Sequence, residues 1–144
     1  MSYLPDVNVL IALLDPLHVH HERAHAWFAS IERERWLSSP TTQNGVLRII
    51  SHPRYANHSP VPAVLDSLAS LLGTPNHSFI PDSLSLVQEH GGPLLNGPIA
   101  TTGQVTNTYL VLLEAMNDTK LATFDKKIAT GHVANGSAYV HLIP

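Results

Sequence analysis

Short apolar runs of strand length alternate with longer helical patterns from one end of the chain to the other, and this alternation restricts the fold more than any other feature. Tyr3 to Pro5 reads as a short first strand running into Asp6, with Pro5 needing a position where no N–H is paired. Val7 to Leu14 follows as a helix, apolar at Val9, Leu10, Leu13 and Leu14 and stopped by Asp15-Pro16. His20 to Arg33 is amphipathic: Ala24, Trp27, Phe28 and Ile31 recur at three-and-four spacing, while Glu22, Arg23 and Glu32 take the other face. Arg35 to Ser38 reads as the second strand. Thr41 or Thr42 is the expected cap of the next helix, which runs through Val46, Leu47, Ile49 and Ile50 until His52-Pro53 ends it.

A further helix is expected from Pro62 to Leu72, stopping at Gly73, and His77 to Pro81 as a third strand. Gly91 to Gly103 holds four glycines and two prolines and reads as a loop. Thr106 to Met116 is helical, with Tyr109, Leu110, Leu113 and Met116 on one stripe; Lys120 to Thr123 and Ala138 to Leu142 are the remaining strands. Strand and helix alternating in this way imply a parallel sheet covered on both faces: an α/β, three-layer sandwich with a central, mainly parallel sheet flanked by helices.

The chain's 144 residues suit one domain with a core of its own. Cysteine is absent, which excludes disulfides, zinc thiolates and a thiol nucleophile, and suits a reducing cytoplasm. The first residues lack a basic leader, and the apolar run from Val7 to Leu14 is too short to span a bilayer, so the expectation is a cytoplasmic protein without a membrane role. A charge of −3 and a pI near 6.3 argue against a protein that coats nucleic acid by charge alone. They do not exclude an enzyme that cuts it, because acids at an active site lower the net charge and bound metal reverses their repulsion of phosphate.

Parallel sheets bind ligands at the carboxyl ends of their strands, and Asp6 and Asp125 each stand just past such an end. Both are expected in solvent there. Carboxylates converging from adjacent strands make a hard-oxygen site suited to Mg²⁺ or Mn²⁺. The competing role is helix capping, since Asp is a favoured N-cap.

The string Pro5-Asp6-Val7-Asn8-Val9-Leu10-Ile11 resembles the opening motif of the PIN-domain nucleases. In the same order, His20 to Phe28, Thr42 to Ile49, Gln104 to Leu110 and Leu121 to Asp125 resemble one branch of that family, the VapC-type toxins of toxin–antitoxin systems, so the likeness covers nearly the whole chain. The resemblance implies a PIN-like fold and an endoribonuclease in which four acids hold Mg²⁺ (or Mn²⁺) and an activated water attacks the phosphodiester. The first acid falls on Asp6 and the last on Asp125; the second, usually Glu, is Gln43, and the third, usually Asp, is Asn107. The amides keep an oxygen ligand and lose its charge. Asp6, Asp125 and Asn107 are thus the expected metal ligands, with Gln43 completing the catalytic group. Asn8 falls where the family braces the first acid, Thr123 underlies Asp125, and Arg48 projects from the helix carrying Gln43 toward RNA phosphate or an antitoxin carboxylate. RNA, a small VapB-like antitoxin and a second copy of the chain in a homodimer are the partners implied.

Two other patterns carry less. His21 and His25 have one-turn spacing suited to zinc, and His18 and His20 lie beside them, but no Cys or acidic partner accompanies them, which favours capping or surface roles. The stripe of Trp27 and Phe28 reads as core rather than a platform for bases. Competing functions are a PIN fold that binds antitoxin or RNA without cutting, favoured by Gln43 and Asn107, and a receiver domain, which the missing acidic pair after the first strand argues against.

Overall fold

A computed structural model describes residues 1–88, 95–96 and 99–144. Five strands form one sheet in the order β3-β2-β1-β4-β5. They are β1 (Ser2–Pro5), β2 (Arg35–Ser38), β3 (His77–Phe79), β4 (Lys120–Thr123) and β5 (Val140–Leu142). Every pairing is parallel. β1 is central, which at first sight is a poor place for Pro5. The ladder to β2 has its last registered pair at Tyr3 and Trp36, however, while Pro5 is matched to Ala122 on the β4 side and the next amide, Asp6 N, donates to Ala122 O at 2.9 Å.

The helices are α1 (Val7–Leu14), α2 (His21–Ser30), α3 (Pro40–Ile50), α4 (Val61–Leu72) and α5 (Val105–Asn117). Side chains alternate across each strand, so the sheet feeds two cores. Trp36 and Ala122 join Val9, Leu10, Trp27, Val46, Ile50 and Val64 beneath α1 to α4. Leu4, Leu37 and Leu121 pack instead with Leu110 to Leu113 of α5. The result is the three-layer sandwich that the alternation implied, and the stripe of Trp27 and Phe28 is core.

Some boundaries differ. Ser39, not Thr41 or Thr42, caps α3: its hydroxyl accepts from Thr42 N at 3.4 Å while Thr42 Oγ1 accepts from Ser39 N at 3.0 Å. Pro40 then fills the first helical position, where a missing N–H costs nothing. α2 is shorter than the periodicity suggested, because turns take over from Ile31. β3 stops at Phe79, although Ile80 N still donates to Ser38 O at 2.9 Å. A 3₁₀ turn over Gly136–Tyr139 occupies what reads as the start of the last strand. Of the glycine-rich stretch expected as a loop, 91–94 and 97–98 lie outside the described residues; its far end is a 3₁₀ turn, Thr102–Gln104, leading into α5.

Candidate active site

Four chain segments come to the carboxyl edge of the sheet: the ends of β1 and β4 and the first turns of α3 and α5. Asp6 follows β1 in extended conformation (φ −68°, ψ 172°), so it falls on the face of Leu4, two residues earlier, toward the α5 layer. Thr123 ends β4 on the same face, two residues after Leu121. The two side chains meet there: Thr123 Oγ1 donates to Asp6 Oδ2 at 2.5 Å, and Val9 N donates to Asp6 Oδ1 at 2.9 Å. Asp6 is therefore both the N-cap of α1 and a carboxylate held from two sides.

Asp6 is not in solvent, contrary to the sequence-based expectation, but only 7 % exposed. Burial pushes its carboxyl up, against the lowering effect of the Thr123 hydroxyl and the Val9 and Asn8 amides, and the charge of Asp125 adds to the rise. A bound cation would offset both costs. Asp125 is exposed as expected. No helix follows it; its Oδ1 accepts from Lys127 N at 2.8 Å in a tight turn, and its own amide donates to Thr123 Oγ1 at 3.1 Å. The Thr123 hydroxyl thus touches both acids, donating to the side chain of Asp6 and accepting from the backbone of Asp125. Asn8 is exposed, and its backbone amide helps hold the Asp6 charge; the Thr123 hydroxyl bonds the same carboxylate.

α3 approaches this edge closely. A Cβ on Gly45 would stand 2.8 Å from Val7 Cγ2, so the absence of a side chain there lets α3 lie against the residue that follows Asp6. Gln43, in the first turns of the same helix, is half-buried and donates from Nε2 to Ser38 Oγ at 2.8 Å. Asn107 arrives with α5. That helix returns to β4 through Asp118, in left-handed conformation (φ 53°), and Thr119, which leaves its first turn, with half-buried Asn107, at the carboxyl edge. Arg48, five residues beyond Gln43 along α3, is exposed.

The expected ligands Asp6, Asp125 and Asn107 offer two carboxylates and an amide oxygen, with Gln43 adding a second amide. Asp6 feels the charge of Asp125, and no hydrogen bond among the described residues links either amide to the acids. Among the described residues no three His, Cys, Asp or Glu side chains converge to hold a metal. Mg²⁺ is commonly held by one or two carboxylates and several waters, so this set fits it without a full acidic ring. The histidines near α1 are engaged elsewhere: His21 Nδ1 lies 2.7 Å from Ala12 O and His25 Nε2 2.9 Å from Leu13 O, at the end of α1 where carbonyls lack helical partners.

One acid on this edge was not singled out from the sequence. Asp82, past the end of β3, accepts at Oδ2 from Thr41 N at 2.9 Å and Thr41 Oγ1 at 2.7 Å, tying the start of α3 to β3. The Tyr109 hydroxyl of α5 approaches the same carboxylate without the alignment of a full hydrogen bond. Tyr109 is pushed up to about 12 by burial and then by the Asp82 charge.

The chain is 39 % identical to Ribonuclease VapC44 of Mycobacterium tuberculosis over 99 % of its own length and 98 % of that protein's. It belongs to the VapC ribonuclease family. Ribonuclease VapC39 of the same organism is 35 % identical over 90 % of this chain and 92 % of that protein, and Ribonuclease VapC38 is 32 % identical over 88 % and 87 %. No family model matches. The parallel sheet with helices on both faces is the three-layer PIN-like arrangement expected of a VapC-type toxin, and no helix of the described residues is long and apolar enough to cross a membrane.

Proposed function

We propose that this VapC-family protein is a Mg²⁺- or Mn²⁺-dependent endoribonuclease, the toxin of a toxin–antitoxin pair, hydrolysing RNA phosphodiesters with water. The observation that carries the reading is the buried Asp6 carboxylate at the end of β1, bonded by Thr123 at 2.5 Å in the strand that leads to Asp125. A structural cap needs neither the second acid nor the burial of the first. Asp6, Asp125 and the Asn107 amide oxygen would hold the ion. When bound, it supplies Lewis acidity toward a phosphoryl oxygen and lowers the pKa of a water at neutral pH.

The chain's own residues do the rest. Thr123 fixes one Asp6 oxygen and the Val9 amide the other, so the carboxylate is oriented before any ligand arrives. Gln43 offers a neutral oxygen to water at the same edge. Exposed Arg48 would meet an RNA phosphate or an acidic antitoxin side chain, and a small VapB-like antitoxin and a second copy of the chain are the protein partners proposed. The second reading, a fold that binds antitoxin or RNA without cutting, is favoured by Gln43 and Asn107, which leave the site with half the carboxylates of the motif it resembles.

The test is a Mg²⁺ and Mn²⁺ titration of antitoxin-free protein with a mixed RNA pool, alongside Asp6→Ala. Cleavage that appears with metal, disappears with chelator and is absent from Asp6→Ala is expected. Intact RNA at millimolar metal with an equally folded parent moves the assignment to the binding reading.

A further inference from the structure

Behind Gln43 runs a hydrogen-bond chain that the metal reading does not use. Gln43 Nε2 lies 2.8 Å from Ser38 Oγ, and Ser38 Oγ lies 2.8 Å from His77 Nε2. The residues come from three elements: α3, the last position of β2 and the first of β3. Ser38 is fully buried, at 0 % exposure. Trp36, two residues before it on the same strand face, packs on the His77 ring with centroids 4.4 Å apart.

The direction of the chain follows from counting protons. Ser38 has one hydroxyl hydrogen and stands between two partners, so it donates to one and accepts from the other. The NH₂ nitrogen of Gln43 has hydrogens to give and no lone pair to accept with, so Gln43 Nε2 is the donor to Ser38 Oγ. Ser38 is left with its hydroxyl hydrogen to give, and His77 Nε2 faces it, so the one proton of a neutral ring is on Nδ1; burial holds the ring below the ordinary histidine value, which favours that neutral form. A neutral ring protonated on Nδ1 has a bare Nε2. Ser38 therefore donates to His77, and its oxygen accepts from the NH₂ end of Gln43. The carbonyl end of the amide is the one left free.

Resting on the proposed metal site, we propose that Ser38 and His77 are positioning residues that hold the Gln43 amide with its carbonyl oxygen free at the carboxyl edge of the sheet, and that this relay is built for Gln rather than Glu. A glutamate at 43 has no hydrogen to give Ser38. It would take the Ser38 hydrogen itself, leaving bare His77 Nε2 against a Ser38 lone pair until the ring moves its proton to Nε2 or gains a second one. The amide at this position is thus matched to its surroundings by the two side chains behind it.

Long-range ¹H–¹⁵N NMR of the His77 ring decides this without any metal. The parent should show His77 protonated on Nδ1 and bare at Nε2, whereas Gln43→Glu should carry a proton on Nε2 at the same pH. Calorimetry with Mn²⁺ is the second arm. Ser38→Ala should weaken Mn²⁺ binding by up to about 10-fold, the low end of what loss of a group supporting a ligand does, because Gln43 reaches the ion through water, at a temperature where the variant is folded. His77→Gln, which restores an acceptor for Ser38, should keep more affinity than His77→Leu. A parent ring protonated on Nε2, or a tautomer indifferent to Gln43→Glu, overturns the relay. Mn²⁺ that fails to bind the parent overturns the metal reading instead, and the tautomer still decides the relay.

Discussion

Asp6 and Glu114 are both buried carboxylates, at opposite edges of one sheet, and their surroundings differ. Asp6 is 7 % exposed at the carboxyl edge, with each oxygen bonded, one by a backbone amide and one by the Thr123 hydroxyl. Glu114 is 0 % exposed near the end of α5, beside the amino end of β4. Its Oε2 accepts from the Thr119 hydroxyl, and its Oε1 is buried with no partner. Burial pushes Glu114 up to about 7, opposed only by the Thr119 bond. Asp6 is also raised, but both of its oxygens have donors and a second acid stands alongside. Burial alone therefore does not separate the two carboxylates; the donors around each and its edge of the sheet do.

The comparison breaks most directly at Asp6. Asp6→Asn and Asp125→Asn should each reduce metal-dependent RNA cleavage to background while the protein remains folded, and Glu114→Gln should leave cleavage at the parent level; gel assays on one RNA pool compare all three. Loss of activity in Glu114→Gln with wild-type stability would erase the distinction.

Next in size is the pH dependence of stability. The folded pKa of Glu114, about 7, lies above its ordinary value of 4.5. A raised acid favours the folded state while protonated, so its contribution is present in full below the ordinary value and is lost as pH rises through 7. The loss across that window is about 3 kcal/mol for such a shift. Urea unfolding at pH 5 and pH 8 should show most of that difference in the parent and little of it in Glu114→Gln. Equal slopes in the two proteins would mean that Glu114 is solvated.

Thr123→Val keeps the shape of the β4 end and removes the donor to Asp6. It should cost about 2 kcal/mol in denaturant unfolding near pH 7, since a buried oxygen loses a charge-assisted bond. The cost should shrink at acid pH as Asp6 protonates. An unchanged midpoint would show that the Val9 amide alone holds Asp6.

Smaller still is the effect of returning charge to the edge. Asn107→Asp should tighten Mn²⁺ binding by about tenfold, ~1.4 kcal/mol, and lower apo stability by added repulsion. Gln43→Glu should gain less, because its new charge breaks the bond that Gln43 Nε2 makes to Ser38. Calorimetry on both variants ranks them, and the reverse order would favour a simple count of charges.

Much of this was legible in the sequence because it depends on local pattern. Apolar runs gave the strands, Asp6 and Asp125 stood just past two of them, and the motifs around Asp6, Gln43, Asn107 and Asp125 carried the family. What escaped depends on contacts between distant segments. Ser39 outcompeted Thr41 and Thr42 as a cap because Pro40 fixes the first turn after it, and Thr42 serves three residues on as its partner in the box. Asp82 meets Thr41 across 41 residues, and His77 meets Ser38 across 39, so no spacing rule links them. The burial of Asp6 arises from α1 and β4 closing over it, whereas the position alone suggested solvent. His21 and His25 resembled a chelate and bond to the last carbonyls of α1 because that helix ends beside them.

The central claim is that the Asp6 edge, unlike the Glu114 edge, is built to hold a divalent cation. Titrating Mn²⁺ into the metal-free parent, Asp6→Asn and Glu114→Gln by calorimetry tests it most directly. Saturable binding in the parent and in Glu114→Gln, lost in Asp6→Asn, is the expected result; equal binding in all three, or none in the folded parent at millimolar Mn²⁺, would contradict it.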